Sequence, residues 1–150
     1  LVAETRFAAA TTDAQRADAV TAARDTAARY PLSGVAVGNY IDLLNRSNQH
    51  QQAIDVLRSQ DAITRTQPFY FALLGRSYEA LWRRTLHHQA IGEMYALMGG
   101  RSAALQQMEL ARRAGDGDFY TMSEVDARIR ELQAELKAEK ELREARGGRP

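Results

Sequence analysis

Apolar residues recur along almost the whole chain with the period of an α-helix. Within residues 34–46, Val37, Tyr40, Ile41 and Leu44 are spaced by three and four, which places them on one helix face. Similar short segments follow one another, separated by turn residues, and none shows the strict alternation typical of a β-strand. The pattern predicts an all-α protein of about eight short helices.

Local start and stop signals divide this pattern into separate helices. Thr12 followed by Gln15 is a capping-box start for an alanine-rich helix that should run to Arg29. Pro31 should end it, because the residue before a proline is disfavoured in the α region. Pro68 stands where a proline at the first helical position would open a later helix.

The C-terminal segment is predicted to be one long helix. Thr121 with Glu124 forms a second capping box, and the helix should run to about Arg146. Its apolar stripe should pack on the preceding hairpin as a capping helix, with the end beyond Ala138 projecting into solvent. The stripe is Val125, Ile129, Leu132 and Leu136, with Leu142 as a candidate extension. A coiled-coil dimer through this helix is the alternative. The capping helix is preferred, because two to three heptads are too few to favour a coiled coil.

Equivalent apolar positions recur at a fixed interval along the middle of the chain. The pairs are Val37 and Phe71, Tyr40 and Leu74, Ile41 and Gly75, and Leu44 and Tyr78. Phe71-x-x-Leu74-Gly75-x-x-Tyr78 matches the first helix of a tetratricopeptide repeat (TPR), in which the glycine permits a close helix partner. The two residues of each pair are 34 positions apart, which is also the length of a tetratricopeptide repeat. Ile91-Gly92-x-x-Tyr95 shows the pattern again after half of that interval.

The predicted fold is therefore a TPR-like α-solenoid of about four antiparallel helical hairpins with a long C-terminal capping helix. It should form a single domain over residues 1–150. Its predicted parts are alanine-rich N-terminal helices at 1–30, a repeat core at 31–120, the C-terminal helix at 121–146 and a disordered tail at 147–150.

Composition narrows the classes of function. The 150 residues contain 20 Lys and Arg against 19 Asp and Glu, and this near-zero net charge of +1 argues against a nucleic-acid partner. The chain has no cysteine, which excludes thiolate catalysis and disulfides. Long apolar runs are missing, so we expect no membrane span or signal peptide. The 26 alanines suit close packing between helices.

Candidate catalytic chemistry is sparse. His87 and His88 are adjacent and would point about 100° apart on a helix, so they are poorly placed to share a metal, and Glu93 lies a turn further on. Asp116 and Asp118 lie in a glycine-containing segment that lacks the later ligands of a calcium loop and is better interpreted as a helix–helix turn. We therefore predict no catalytic residue, no metal site and no cofactor in this chain.

Two further groups are candidates for binding. Five arginines could gather at one end of the array, either as a docking patch for an acidic partner or lipid headgroup or as an ordinary solvated surface, which we favour: Arg83, Arg84, Arg101, Arg112 and Arg113. Six aromatic residues cluster in the middle hairpins, and most of them should be core because the repeat pattern requires large residues there: Phe69, Tyr70, Phe71, Tyr78, Trp82 and Tyr95. Phe69 and Tyr70 precede the repeat face, and one of them is a candidate binding anchor.

A more specific resemblance covers roughly residues 30–136. The motifs are Leu74-Gly75, Tyr78-Glu79-Ala80, Glu93-x-Tyr95, Asp118-Phe119-Tyr120 and Ala127-Arg128-x-x-Glu131-Leu132. They resemble the C-terminal TPR region of bacterial periplasmic zinc metalloproteases of the β-barrel assembly-enhancing type. Trp82 and His87 depart from the pattern, which has a turn glycine and a small alanine there, and either would widen the hairpin.

The resemblance implies the non-catalytic part of such an enzyme, in the periplasm. In that family the zinc belongs to a separate domain carrying HExxH, which this chain lacks. The repeats would contact that metalloprotease domain, the outer-membrane assembly complex or misfolded outer-membrane proteins in quality control. Because the chain starts at Leu1 without methionine, we expect it to be a piece of a larger protein.

The preferred hypothesis is a protein–protein interaction module whose concave groove holds a peptide or a partner domain. On the repeat register the groove candidates are Asp42, Asn45, Arg46, Phe69, Arg76 and Glu79. Such side chains would clamp an extended backbone through charge-assisted hydrogen bonds. The alternatives are a self-associating scaffold, a TPR adaptor unrelated to a protease and, last, an enzyme acting through His87, His88 and Glu93.

Overall fold

A computed structural model describes residues 2–60 and 64–147. Within these ranges the chain is all-helical and contains no strand, as the sequence predicts. The chain forms two compact units, Leu1–Arg65 and Thr66–Pro150. Ordering into one TPR-like domain over residues 1–150 stays a prediction, and residues 148–150 of the predicted tail lie outside the described residues. No described helix combines the length and apolarity needed to cross a bilayer.

The first unit contains four α-helices and a short 3₁₀ turn at its end. The capping box is confirmed, with Thr12 Oγ1 accepting from the N–H of Gln15, whose side chain accepts in return from the N–H of Thr12. Ser33 caps the third helix in the same way through the N–H of Ala36. The helices are α1 (Val2–Ala9), α2 (Asp13–Arg29), α3 (Gly34–Arg46) and α4 (His50–Arg58), before the 3₁₀ turn Thr64–Thr66.

The core of the first unit consists of small residues from α2 and large aliphatic residues from α3 and α4. Ala19 and Ala23 are almost fully buried on α2, which lets α3 approach closely. The predicted face of α3 is confirmed, with Val37, Tyr40, Ile41 and Leu44 buried. On α4, Ala53, Ile54 and Leu57 have the same helical spacing in the sequence and are buried as well. The 3.6-residue period thus identified the buried side of both helices.

The second unit also contains four helices. Pro68 occupies the first turn of its first helix, as predicted, and Gly115 ends its third helix with a left-handed φ of 74°. The helices are α5 (Pro68–Ala80), α6 (Arg84–Leu97), α7 (Arg101–Ala114) and α8 (Phe119–Gly147). Successive helices are neighbours, and α8 contacts both α7 and α6.

The predicted start of α8 is wrong by two residues. The N–H of Thr121 donates to Asp118 Oδ1 at 2.7 Å, and the N–H of Met122 donates to the carbonyl of Asp118. Asp118 is therefore the N-cap, and Thr121 lies inside the helix instead of capping it. The predicted stripe on α8 is confirmed as far as Leu132, because Val125, Ile129 and Leu132 are buried against Ala104, Met108 and Ala111 of α7.

Three helix–helix turns share one backbone pattern. Asn48, Trp82 and Gly99 have φ values of 59°, 58° and 80°. Each donates its N–H to the carbonyl three residues earlier, and the next residue donates to the carbonyl five residues earlier. This is the Schellman helix ending. Asn48 and Trp82 are one sequence-repeat interval apart, and Gly99 follows Trp82 by half of that interval.

The predicted widening of the α5–α6 hairpin does not occur. A Cβ on Gly75 would lie 2.6 Å from Ile91 Cδ1, so α6 approaches α5 closely at this glycine. His87 hydrogen-bonds through Nδ1 to the carbonyl of Gly75 at 2.9 Å, which spans the two helices. Trp82 adopts the left-handed conformation itself and makes the turn in place of a glycine.

Candidate interaction surfaces

The three groove candidates of the first unit lie on the last turns of α3. Arg46 Nη1 is 3.7 Å from Asp42 Oδ2, and the Arg46 guanidinium stands 4.7 Å from the centre of the Phe7 ring of α1. This cation–π contact places α1 beside the candidate residues. Phe7, Asp13, Arg16 and Arg46 also line an open cavity of about 570 Å³.

Asn45 has a different environment from its two neighbours. It is buried, and its Oδ1 lies 2.9 Å from Nδ1 of His50 at the start of α4. This hydrogen bond spans the α3–α4 turn, beside the left-handed residue Asn48. Asn45 therefore joins two helices, whereas Asp42 and Arg46 present part of their side chains to solvent.

The three groove candidates of the second unit share one side of α5. Phe69, Arg76 and Glu79 are spaced by seven and three residues, so they lie along one stripe, and all three are exposed. Phe69 is 38% exposed, whereas the adjacent Tyr70 is only 5% exposed. Of the two predicted anchors, Phe69 is the accessible one.

The residues considered for a metal site are engaged elsewhere. His87 Nδ1 bonds the carbonyl of Gly75, and His88 Nδ1 lies 2.9 Å from Gln107 Oε1 on α7. Glu93 accepts from Arg128 of α8 at 2.9 Å. Across residues 2–60 and 64–147, no group of three His, Asp or Glu side chains is arranged to hold a metal ion.

Four of the five predicted patch arginines lie at one end of the α6–α7 hairpin. Arg84 Nη2 reaches the carbonyl of Ala114 at 3.4 Å, which brings the start of α6 to the end of α7, where Arg112 and Arg113 lie. Arg101 is at the other end, about 16 Å along α7. There it pairs with Glu135 at 2.8 Å and with Glu139 of α8.

A carboxylate from the α7–α8 loop caps α6 at the same end. Asp116 Oδ2 accepts from the N–H of Arg84 at 2.7 Å, and its Oδ1 accepts from the N–H and hydroxyl of Thr85 at 2.8 and 2.6 Å. Desolvation opposes the charge on Asp116, but these hydrogen bonds outweigh it and lower its pKa. The segment predicted as a helix–helix turn thus supplies two caps, Asp116 for α6 and Asp118 for α8.

Large aromatic side chains are exposed at this end, and the sequence pattern assigns no binding role to them. Trp82 is 83% exposed in the α5–α6 turn, while Phe119 and Tyr120 are 80% and 79% exposed at the start of α8. Trp82 is therefore not among the core aromatic residues, because a turn residue after a helix end has no neighbour to cover its ring. The sequence did contain a signal for this exposure, because Trp82 occupies the turn position where a glycine is usual.

Comparisons with protein-family models, with curated proteins and with solved structures find no match to this chain. The resemblance to periplasmic metalloproteases consequently stays a hypothesis. The arguments about function that follow depend on the surfaces described above.

Proposed function

We propose that this chain is a non-catalytic protein–protein interaction module that binds an extended peptide or a partner domain. The observation that carries the proposal is the stripe of Phe69, Arg76 and Glu79 on α5. Residues on the other side of this helix, including Leu74 and Tyr78, are buried, so the stripe is a solvent-facing surface on a supported helix. An aromatic anchor beside an arginine is a common core of protein-binding surfaces.

The TPR-like character of the module belongs to the same proposal. The Schellman turns at Asn48, Trp82 and Gly99, which keep the full and half intervals of the sequence pattern, support a repeating hairpin. In such an array the first helices of successive hairpins line a groove. At the repeat interval, Asp42 of α3 corresponds to Arg76 of α5 and Asn45 to Glu79, while Arg46 corresponds to Ala80.

A selection from a displayed library of random peptides tests the α5 surface. The full chain should enrich peptides whose binding falls about tenfold or more in Phe69→Ala and in Arg76→Ala, as expected for anchor residues. Leu142→Ala and Arg130→Ala are matched controls, since both residues are exposed on α8. Enriched peptides that bind all four variants equally would reject this surface.

The α3 candidates require a separate variant. Arg46→Ala combined with Arg76→Ala should weaken the same peptides further than Arg76→Ala alone, with circular dichroism unchanged. Arg46 contacts Phe7, so removal of residues 1–10 tests whether α1 competes for this surface. Equal affinity in the single and double variants would discard the α3 part of the groove.

The resemblance extends the proposal to a larger protein. We propose that the module works beside a periplasmic zinc metalloprotease domain and engages that domain, its substrates or the outer-membrane assembly machinery. The coding sequence upstream decides this directly. A signal peptide followed by HExxH is the expected result, and an upstream reading frame without a metallopeptidase motif would favour an adaptor unrelated to a protease.

One observation favours self-association as a second candidate function. The last buried residue of α8 is Leu132, yet the helix continues to Gly147 and leaves Leu142 60% exposed. Light scattering of the full chain and of a chain ending at Leu136 separates the two functions. A monomer in both cases supports the binding module, whereas a dimer that dissociates on truncation supports the scaffold.

A further inference from the structure

Three exposed aromatic residues lie at the same end of the second unit, and we name them the aromatic tip: Trp82, Phe119 and Tyr120. Trp82 belongs to the α5–α6 turn, and the other two begin α8. The hydrogen bonds from Arg84 and Thr85 to Asp116 hold these two segments at the same end of the second unit. The Phe119 and Tyr120 rings are 5.9 Å apart, edge to face, and each of the three side chains is about four-fifths exposed.

The backbone at Trp82 indicates that this side chain is not there for stability. Its φ of 58° lies in the left-handed region, which disfavours residues with a branched or bulky side chain. The two equivalent turns use Asn48 and Gly99, which tolerate that conformation. Since the Trp82 ring is exposed, packing does not offset the strain, and an observed outlier of this kind points to function.

Charged side chains of both signs lie around the aromatic tip. Among the acidic ones, Asp116, Asp118 and Asp126 are engaged within the protein, and Glu79 is exposed. Arg83, Arg84 and Arg113 are exposed at this end, and Arg112 lies 3.9 Å from Asp126. Asp116 and Asp118 are directed at the N-termini of α6 and α8, whose partial positive charge offsets theirs. A partner complementary to this surface would be anionic.

The shape of the surface favours a deformable partner over an extended peptide. The cavity at this end is small, about 250 Å³, and its lining is mostly polar: Arg83, Leu86, Asp116, Gly117, Asp118 and Thr121. None of the three rings lines this cavity, and each is about four-fifths exposed. Exposed Trp, Tyr and Phe beside arginines are the composition of segments that insert into the interfacial layer of a bilayer.

We propose that the aromatic tip is a peripheral binding site for an anionic phospholipid surface. The rings would enter the headgroup region while the arginines contact lipid phosphates. Binding of this type gains from both apolar burial and attraction to anionic lipid. The proposal is independent of the peptide surface, because Phe69, Arg76 and Glu79 are not part of the tip.

The single tryptophan of the chain provides a direct assay, because Trp82 is part of the proposed site. The full chain is titrated with vesicles of equal parts phosphatidylcholine and phosphatidylglycerol, and separately with pure phosphatidylcholine. We expect a blue shift of the Trp82 emission with the anionic vesicles and quenching by brominated acyl chains. Anionic vesicles that bind no protein and cause no shift would overturn the proposal.

Variants measured by vesicle co-sedimentation assign the binding to the tip. Phe119→Ala with Tyr120→Ala should lower the partition coefficient about tenfold or more through lost apolar burial. Arg83→Gln with Arg84→Gln should lower it by a similar factor and reduce its salt dependence. Leu32→Ala and Val35→Ala remove exposed apolar side chains of the first unit and should leave it unchanged, with helicity the same throughout.

Two outcomes would contradict the proposal in different ways. Equal binding of the wild type and the Phe119→Ala, Tyr120→Ala variant would place any lipid contact elsewhere on the chain. A Trp82 shift with poly-glutamate but not with anionic vesicles would identify an acidic protein segment as the partner. Failure of the peptide selection at α5 affects neither readout, so the two proposals fail separately.

Discussion

Asp116 accepts a 2.6 Å hydrogen bond from the hydroxyl of Thr85, which lies 31 residues earlier in the chain. Thr85 is fully buried, and its hydroxyl also lies 3.2 Å from the carbonyl of Ala111. The residue at the N-cap position of α6 is Arg83, which makes no side-chain cap. A distant loop therefore performs the capping that local sequence usually supplies, and it ties the start of α6 to the end of α7.

Removal of this carboxylate should destabilise the second unit. Asp116→Ala leaves the N–H groups of Arg84 and Thr85 without their acceptor, and we expect a loss of about 1–2 kcal/mol in the free energy of unfolding. Asp116→Asn should lose less, since asparagine is also a good cap. Urea unfolding followed by circular dichroism measures both, with exposed Asp25→Ala as the control at about 0.5 kcal/mol or less.

The same carboxylate should make stability depend on pH. The folded state lowers the pKa of Asp116, so its stabilising contribution is complete above the unfolded pKa of about 3.9 and is lost as the pH falls through the folded value. The difference in stability between wild type and Asp116→Asn should therefore be largest near neutral pH and shrink below about pH 4. A difference that stays constant down to about pH 3 would show that the charge of Asp116 is not involved.

The helical glycines should respond to alanine in a defined order. At Gly75 a Cβ would meet the stiff side chain of Ile91 at 2.6 Å. At Gly92 it would meet the flexible end of Met108 at 2.9 Å and the carbonyl oxygen of Ala104 at 3.3 Å. At Gly38 nothing lies within 4 Å, so alanine gains about 0.5–1 kcal/mol from helix propensity. We expect Gly75→Ala to cost about 1 kcal/mol, with Gly92→Ala between the two.

Thermal unfolding of the three glycine variants measures this order. A stabilised Gly75→Ala would mean that the α5–α6 hairpin can separate at little cost. Gly38 serves as the internal reference, because it reports helix propensity without a packing change.

The helices could be predicted from the sequence wherever their signals are local. The bounds of α3, the capping box at Thr12 and the opening of α5 at Pro68 depend on residues within one or two turns, and the structure has them as predicted. The buried faces of α3 and α4 follow from period alone. The repeat interval of the sequence likewise recurs in the turn geometry, because equivalent residues end equivalent helices.

Features that depend on contacts between distant parts of the chain could not be predicted from local sequence signals. Asp116 can cap α6 only because α7 runs back to the start of α6. At the start of α8, the capping residue is Asp118 and not Thr121. The repeat pattern predicts that most aromatic residues of the middle hairpins are core, whereas the turn position of Trp82 leaves it exposed. Among the groove candidates, Asn45 is buried and hydrogen-bonded to His50. The repeat pattern places it on the groove side but does not show whether its side chain is exposed or buried.

An ion pair between α8 and α6 should contribute measurably to the attachment of α8. Arg128 Nε lies 2.9 Å from Glu93 Oε1, and both side chains are only 26% exposed. A double-mutant cycle with Arg128→Ala and Glu93→Ala should give a coupling energy of about 1 kcal/mol or more, above the usual surface pair. The exposed pair Lys140 and Glu144, at 3.9 Å, is the matched control and should give about 0.5 kcal/mol or less. Equal coupling in the two cycles would contradict the role of burial.

Trp82 should be replaceable with a gain in stability. Trp82→Asn places at this turn the residue found at the equivalent Asn48, which tolerates the left-handed conformation at lower cost. Because the exposed ring contributes little burial, we expect the free energy of unfolding to rise by up to about 1 kcal/mol. Trp82→Ala keeps the unfavourable backbone and should change stability little, so an equal gain in both variants would assign the effect to the exposed ring instead of the backbone. In the same Trp82→Asn variant, weaker co-sedimentation with anionic vesicles is expected, since the strained residue is the one the aromatic tip would insert.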